Sequence, residues 1–111
     1  RNVAPEWVEG ELLSHPAIAQ VWVHGEGRPW NIAVITPRAG ASTEDIAAAV
    51  ANANRTLPDY ARVRRWQPAR AAFSAENGEL TANGRLRRNE LAANYGPLLD
   101  SLYLETTLEF S

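Results

Sequence analysis

The segment richest in usable chemistry is Gly78-Glu79-Leu80-Thr81-Ala82-Asn83-Gly84-Arg85-Leu86-Arg87-Arg88. Two glycines punctuate it, and arginines follow the second glycine at once. A glycine-flexed loop that holds a guanidinium just ahead of a helix can bring a cation to a phosphate or carboxylate and withdraw it again. The plainer reading of the same residues is a hairpin turn leading into a basic, solvated helix start. Basic side chains at a helix N-terminus oppose the helix macrodipole, a mild penalty that leans toward a functional reason for them.

Other chemistries find less to work with. His15 and His24 are the only histidines, and neither sits in a ligand spacing such as H-E-x-x-H, so both read as structural or surface residues and no metal site is expected. Cysteine is absent, which excludes disulfides, thiolate zinc sites and thiol nucleophiles. Ser14-His15 is an adjacency, whereas a catalytic triad is a spatial arrangement with an orienting acid. Neither G-x-x-x-x-G-K-[ST] nor G-x-G-x-x-G occurs, so no phosphate loop of those kinds is present. Trp7, Trp22, Trp30 and Trp66 among arginines could stack on bases. A net charge of -2 gives no attracting field, however, and Trp22 and Trp66 fall in strand-like runs where tryptophan fills a core or covers a sheet. No nucleic-acid partner is expected.

With 111 residues, 45% hydrophobic and 22% charged, the chain fits one soluble domain able to bury a core unaided. No apolar run is long enough for a bilayer, and no signal peptide is seen. Arg1 rather than Met heads the chain, which therefore reads as a piece of something longer. The expected location is cytoplasmic, with a membrane-peripheral full-length protein as the variant.

The elements that must position the basic loop follow from periodicity. Pro5 opens a helix with Val8 and Leu12 inward, ended by Ser14-His15-Pro16. Residues 18–24 read as a strand with Val21 and Val23 on one face, and residues 31–36 as its antiparallel partner across the turn Gly25-Glu26-Gly27-Arg28-Pro29. Ser42-Thr43-Glu44-Asp45 resembles a capping box, and the helix after it carries the stripe Ile46, Val50, Ala53, Leu57 until Pro58. Residues 61–66 make a third strand. A polar loop spans Ser74 to Gly84, then a helix runs from Arg87 to Tyr95 with one more turn through Leu98, Leu99, Leu102 and Tyr103. The expected fold is α+β: a small mixed or antiparallel sheet with a β-hairpin, flanked by about three helices. Residues 104–111 are expected as a loose tail.

At the basic loop the chain resembles the C-terminal domain of the adenylate-forming superfamily, which includes acyl-CoA synthetases, peptide-synthetase adenylation domains and luciferases. The signature there is a Thr-Pro-x-Gly-Lys-like loop followed by an apolar residue and arginines; here it stands as Thr81-Ala82-Asn83-Gly84-Arg85-Leu86-Arg87-Arg88. Asn2 to Glu9 is similar to the segment after the superfamily's hinge, with Glu9 at a glutamate position of the first helix. His15 to Val23 is similar to its first strand. Among its members, long-chain fatty acid–CoA ligases are most similar, through Asn2-Val3-Ala4-Pro5, Gly78-Glu79-Leu80-Thr81 and Leu98-Leu99-Asp100-Ser101-Leu102-Tyr103. The likeness covers residues 1 to about 103 in order.

The resemblance implies a C-terminal lid domain over 1–103 and a large N-terminal AMP-binding domain outside this chain. It implies a two-step reaction in which carboxylate and ATP, with Mg2+, give acyl-AMP and pyrophosphate, after which CoA takes the acyl group and AMP leaves. ATP, Mg2+ and CoA belong to the full enzyme, and none is expected to bind this piece alone. Partners are the N-terminal domain, and acyl-adenylate and CoA where the two meet. Arg85 stands at the superfamily's catalytic lysine, Thr81 and Gly84 support its loop, and Asn2, Val3 and Ala4 line the CoA channel. The lid is expected to swing between the half-reactions. Three positions depart from the pattern: Arg85 replaces lysine, Ala82 replaces the usual proline, and Ala4 replaces a common capping serine. Two other readings stay open, namely the lid of an acyl-AMP ligase that loads a carrier protein, and a stand-alone α+β ligand-binding or interaction module.

Overall fold

The computed structural model describes residues 3–109, with side chains through residue 104. In chain order the elements are α1 (Pro5–Leu13), β1 (Ile18–His24), β2 (Asn31–Pro37), α2 (Thr43–Thr56), a 3-10 turn (Asp59–Ala61), β3 (Val63–Pro68) and α3 (Arg88–Glu109). The strands form one mixed sheet in the order β1-β2-β3, with β1 antiparallel and β3 parallel to β2. Three helices and a small mixed sheet make the α+β fold. The third strand begins at Val63, two residues later than its sequence suggests, because residues 59–61 are taken up by the 3-10 turn. The chain groups into two compact units, one ending at Ala72 and the other beginning at Phe73.

The first unit is built on one face of the sheet. Val21 and Val23 of β1, Ala33 and Ile35 of β2 and Val63 of β3 pack with Val8 and Leu12 of α1 and with Ile46, Ala49, Val50 and Ala53 of α2. Ile18 and Trp66 reach this face only because each strand carries an extra residue. The register slips between Ile18 and Gln20 in β1, and Asn31 and Ile32 pair with Val63 and Arg65 in β3. Each bulge switches the alternation once. The β3 bulge turns Arg64 outward, where its guanidinium lies 5.5 Å from the centre of the Trp30 ring. Trp22, Ile32 and Val34 point to the opposite face and are buried too.

Side chains close the backbone bonds that the sheet leaves open. Glu9, buried on α1, accepts the Val23 N–H at 2.8 Å on the outer edge of β1. Asn54 acts as a substitute strand: its Nδ2 donates to the Val63 carbonyl at 2.9 Å and its Oδ1 accepts the Val63 N–H at 3.0 Å. Arg62 Nε caps the end of α2, donating to the carbonyls of Asn54 and Leu57, as a cation at a helix C-terminus should. The capping box is present in full, with Asp45 N donating to Ser42 Oγ at 3.1 Å and Ser42 N to Asp45 Oδ2 at 2.9 Å. The hairpin turn between β1 and β2 puts Gly27 at φ +70, and Arg28 N donates to the Gly25 carbonyl at 3.0 Å. Only glycine fits at position 25, where a Cβ would collide with the buried Asn31 side chain.

In the second unit, α3 is one helix of 22 residues, longer than the sequence suggests, and it continues to Glu109 where a tail is expected. Phe110 and Ser111 lie outside the described residues. Pro97 does not stop it. The hydrogen bond proline removes is the one to the Ala93 carbonyl, and both residues are exposed, so the lost bond falls on the solvent side of the helix, where it costs least. Leu91, Tyr95, Leu99 and Leu102 fall on one stripe and are buried.

Candidate functional site

The basic loop is a miniature hairpin rather than a slack strap. Arg87 N donates to the Glu79 carbonyl at 2.9 Å, Thr81 N to the Arg85 carbonyl at 2.8 Å, and Leu80 bridges Leu86 antiparallel between them. The tip is Thr81-Ala82-Asn83-Gly84-Arg85. Gly84 N donates to the Thr81 carbonyl at 3.0 Å, and Gly84 holds φ +86, which a Cβ would oppose. The Thr81 hydroxyl organises the tip: it accepts the Arg85 N–H at 3.0 Å and donates to Asn83 Oδ1 at 2.6 Å.

Arg85 is therefore fixed through its backbone and released through its side chain. It is exposed, and its guanidinium takes no hydrogen bond or ion pair among the described residues. Arg87, by contrast, is used locally, reaching the Gly78 carbonyl at 3.4 Å and Glu90 at 3.9 Å. The two basic positions thus part company: one closes the hairpin onto the helix start, the other faces outward with its charge unspent.

The neck of the hairpin rests on one long-range pair and one local pair. Glu79 is buried; Asn94, fifteen positions on in α3, donates to its Oε2 at 2.8 Å. The turn before it is a reciprocal pair, with Ser74 N donating to Asn77 Oδ1 and Asn77 N to Ser74 Oγ, each at 3.1 Å. That pair has a local signal, Ser-x-x-Asn ahead of glycine, of the kind that marks side-chain-capped turns. The Glu79–Asn94 bond has none.

Thr81, Gly84 and Arg85 are thus brought into one turn of the second unit. The residues expected along a CoA channel belong to the first unit. Asn2 lies outside the described residues, Val3 packs against the first unit's core, and Ala4 is the exposed N-cap of α1 without a side-chain bond. Among the described residues no three His, Asp or Glu side chains come together as a metal site, and no helix is long and apolar enough to cross a membrane.

Comparison with known proteins matches this geometry to a family. Long-chain-fatty-acid–CoA ligase FadD15 of Mycobacterium tuberculosis is 28% identical over an alignment of 127 positions, covering 93% of this chain and 21% of the ligase. The adenylation domain of a carboxylic acid reductase from Segniliparus rugosus, solved with AMP and a co-purified carboxylic acid, superposes with a TM-score of 0.82 at 25% identity, covering 94% of this chain and 18% of that one. The A-PCP didomain of the Segniliparus rugosus reductase, in complex with AMP, gives 0.81 at 25% identity over 93% of this chain and 16% of its own. The chain thus spans about a fifth of the length of the relatives it matches. The AMP-binding enzyme C-terminal domain matches residues 1–107, and the chain belongs to that family.

Proposed function

We propose that this chain is the mobile lid of an AMP-forming acyl-CoA synthetase acting on fatty acids, and that Arg85 supplies the cation for its adenylation step. The observation that carries this reading is the outward, uncommitted guanidinium of Arg85, on a loop whose backbone is otherwise tied down. Joining a carboxylate to the α-phosphate of ATP brings two anions together, so a cation placed between them lowers the barrier. The next step needs room for the thiol acceptor, so the same cation must leave, which suits a domain that changes face.

Arginine fits an anionic oxygen here but is no copy of the lysine. Its planar fork can hold two oxygens at once, phosphate and carboxylate, where an ammonium acts as a point charge. Arg85→Ala in the full-length enzyme is expected to slow acyl-AMP formation about a hundredfold or more, while thioester formation from supplied acyl-AMP changes little. Equal losses in both half-reactions would remove Arg85 from this role.

A second reading draws on the likeness to the A-PCP didomain. There the activated acyl group would pass to a carrier protein instead of CoA. Supplying CoA and a pantetheinylated carrier in parallel, and identifying the thioester formed, separates the two acceptors.

A further inference from the structure

We infer that Asn83 is a self-modifying position, converting spontaneously through a succinimide to aspartate and isoaspartate at the tip of the Arg85 hairpin. The chain holds two Asn-Gly pairs in this region, Asn77-Gly78 and Asn83-Gly84, and the structure treats them differently. Asn-Gly is the dipeptide most open to this chemistry, because glycine has no Cβ to shield the backbone nitrogen that must attack. In the reaction the Gly84 nitrogen loses its proton and bonds to Asn83 Cγ. The Cγ–Nδ2 bond breaks, and ammonia leaves with the proton. Water then opens either carbonyl of the ring, giving a carboxylate on the original backbone or on a backbone longer by one carbon. No oxidant or co-reactant beyond water is required.

The two asparagines differ in how firmly they are held. Asn77 Oδ1 accepts two backbone N–H groups, of Ser74 and Glu79, each at 3.1 Å, while its own N–H donates to Ser74 Oγ. Turning its amide toward Gly78 breaks bonds to a fixed backbone. Asn83 is exposed, and its Oδ1 is held by one hydroxyl, that of Thr81, at 2.6 Å. A hydroxyl is a rotor that follows the amide as it swings. Gly84 and Gly78 each donate their own N–H to a carbonyl three residues back, at 3.0 and 3.1 Å, so that restraint is common to both and cannot favour either. What remains is the side-chain clamp, present at 77 and slight at 83.

The consequence falls beside the site. Conversion adds a negative charge two residues from Arg85, and the isoaspartyl form also lengthens a turn whose bonds set the Arg85 backbone. That consequence rests on the proposed role of Arg85; the modification itself does not.

Full-length protein aged in mildly alkaline buffer, where the backbone nitrogen ionises more readily, is digested and mapped by mass spectrometry for replacement of amide by carboxylate. Asn83 is expected to convert several-fold faster than Asn77, with isoaspartate in the product. In N83Q the attack would need a larger ring, and the acidic species that ages in at this peptide should disappear. Equal conversion at the two asparagines, or an intact Asn83 in aged protein, overturns the inference. Because the readout is mass and not turnover, it stands or falls separately from the assignment of Arg85.

Discussion

At residue scale, the tip of the hairpin is held by few atoms, and single substitutions should separate shape from charge. Gly84 sits at φ +86, where an L side chain costs about 1–2 kcal/mol. Gly84→Ala is therefore expected to lower stability by about 1 kcal/mol in urea unfolding and to slow acyl-AMP formation by misplacing Arg85, since a shift of about 1 Å can cost a hundredfold. Arg85→Lys keeps the charge but loses the fork. If the guanidinium bridges phosphate and carboxylate, the lysine variant should fall between wild type and Arg85→Ala in a pyrophosphate-release assay of the first half-reaction.

At element scale, caps and edge bonds should show in stability. Ser42 accepts the Asp45 N–H and completes a reciprocal pair, so Ser42→Ala is expected to cost about 1 kcal/mol, read from the urea midpoint. Glu9 takes the outward N–H of Val23, a bond that water does not replace in a buried position. Glu9→Ala should destabilise by about 1–3 kcal/mol and expose the β1 edge to pairing with other chains. Concentration-dependent aggregation of that variant, absent in wild type, checks the second effect. Pro97 deprives α3 of one bond on its wet side; Pro97→Ala should restore it and raise stability by up to about 3 kcal/mol.

At the scale of the whole molecule, the two compact units are built differently. The first closes its own core around one sheet face. The second carries Arg85 on a hairpin stiffened by backbone bonds and by the Glu79–Asn94 link. A stiff hairpin suits a cation that must arrive in one geometry, so under the proposed cycle the motion would be carried by the hairpin moving as a unit rather than by slackness within its loop. Accordingly, hydrogen exchange on the full-length enzyme should find the Thr81 and Arg87 amides protected. Rapid exchange there would favour a loop that moves on its own.

How much was legible beforehand follows from the range of each interaction. The capping box, the α2 stripe, the Val21/Val23 face, the glycine corners and the outward Arg85 depend on neighbours a few residues apart, so pattern and turn chemistry reach them. The α+β class follows from the order of such elements, and the kinship was readable at the Thr81–Arg88 loop. Tertiary structure alone decided the rest. The β3 strand joins parallel to β2 through a bulge, because burying Val63 and Trp66 on one face needs an extra residue between them. Asn54 pairs with Val63, Glu9 with Val23 and Asn94 with Glu79, because buried polar groups must find partners wherever the fold brings them, nine to fifteen residues away. Helix α3 passes Pro97 because its lost bond faces water, a matter of orientation that a one-dimensional rule against proline cannot see.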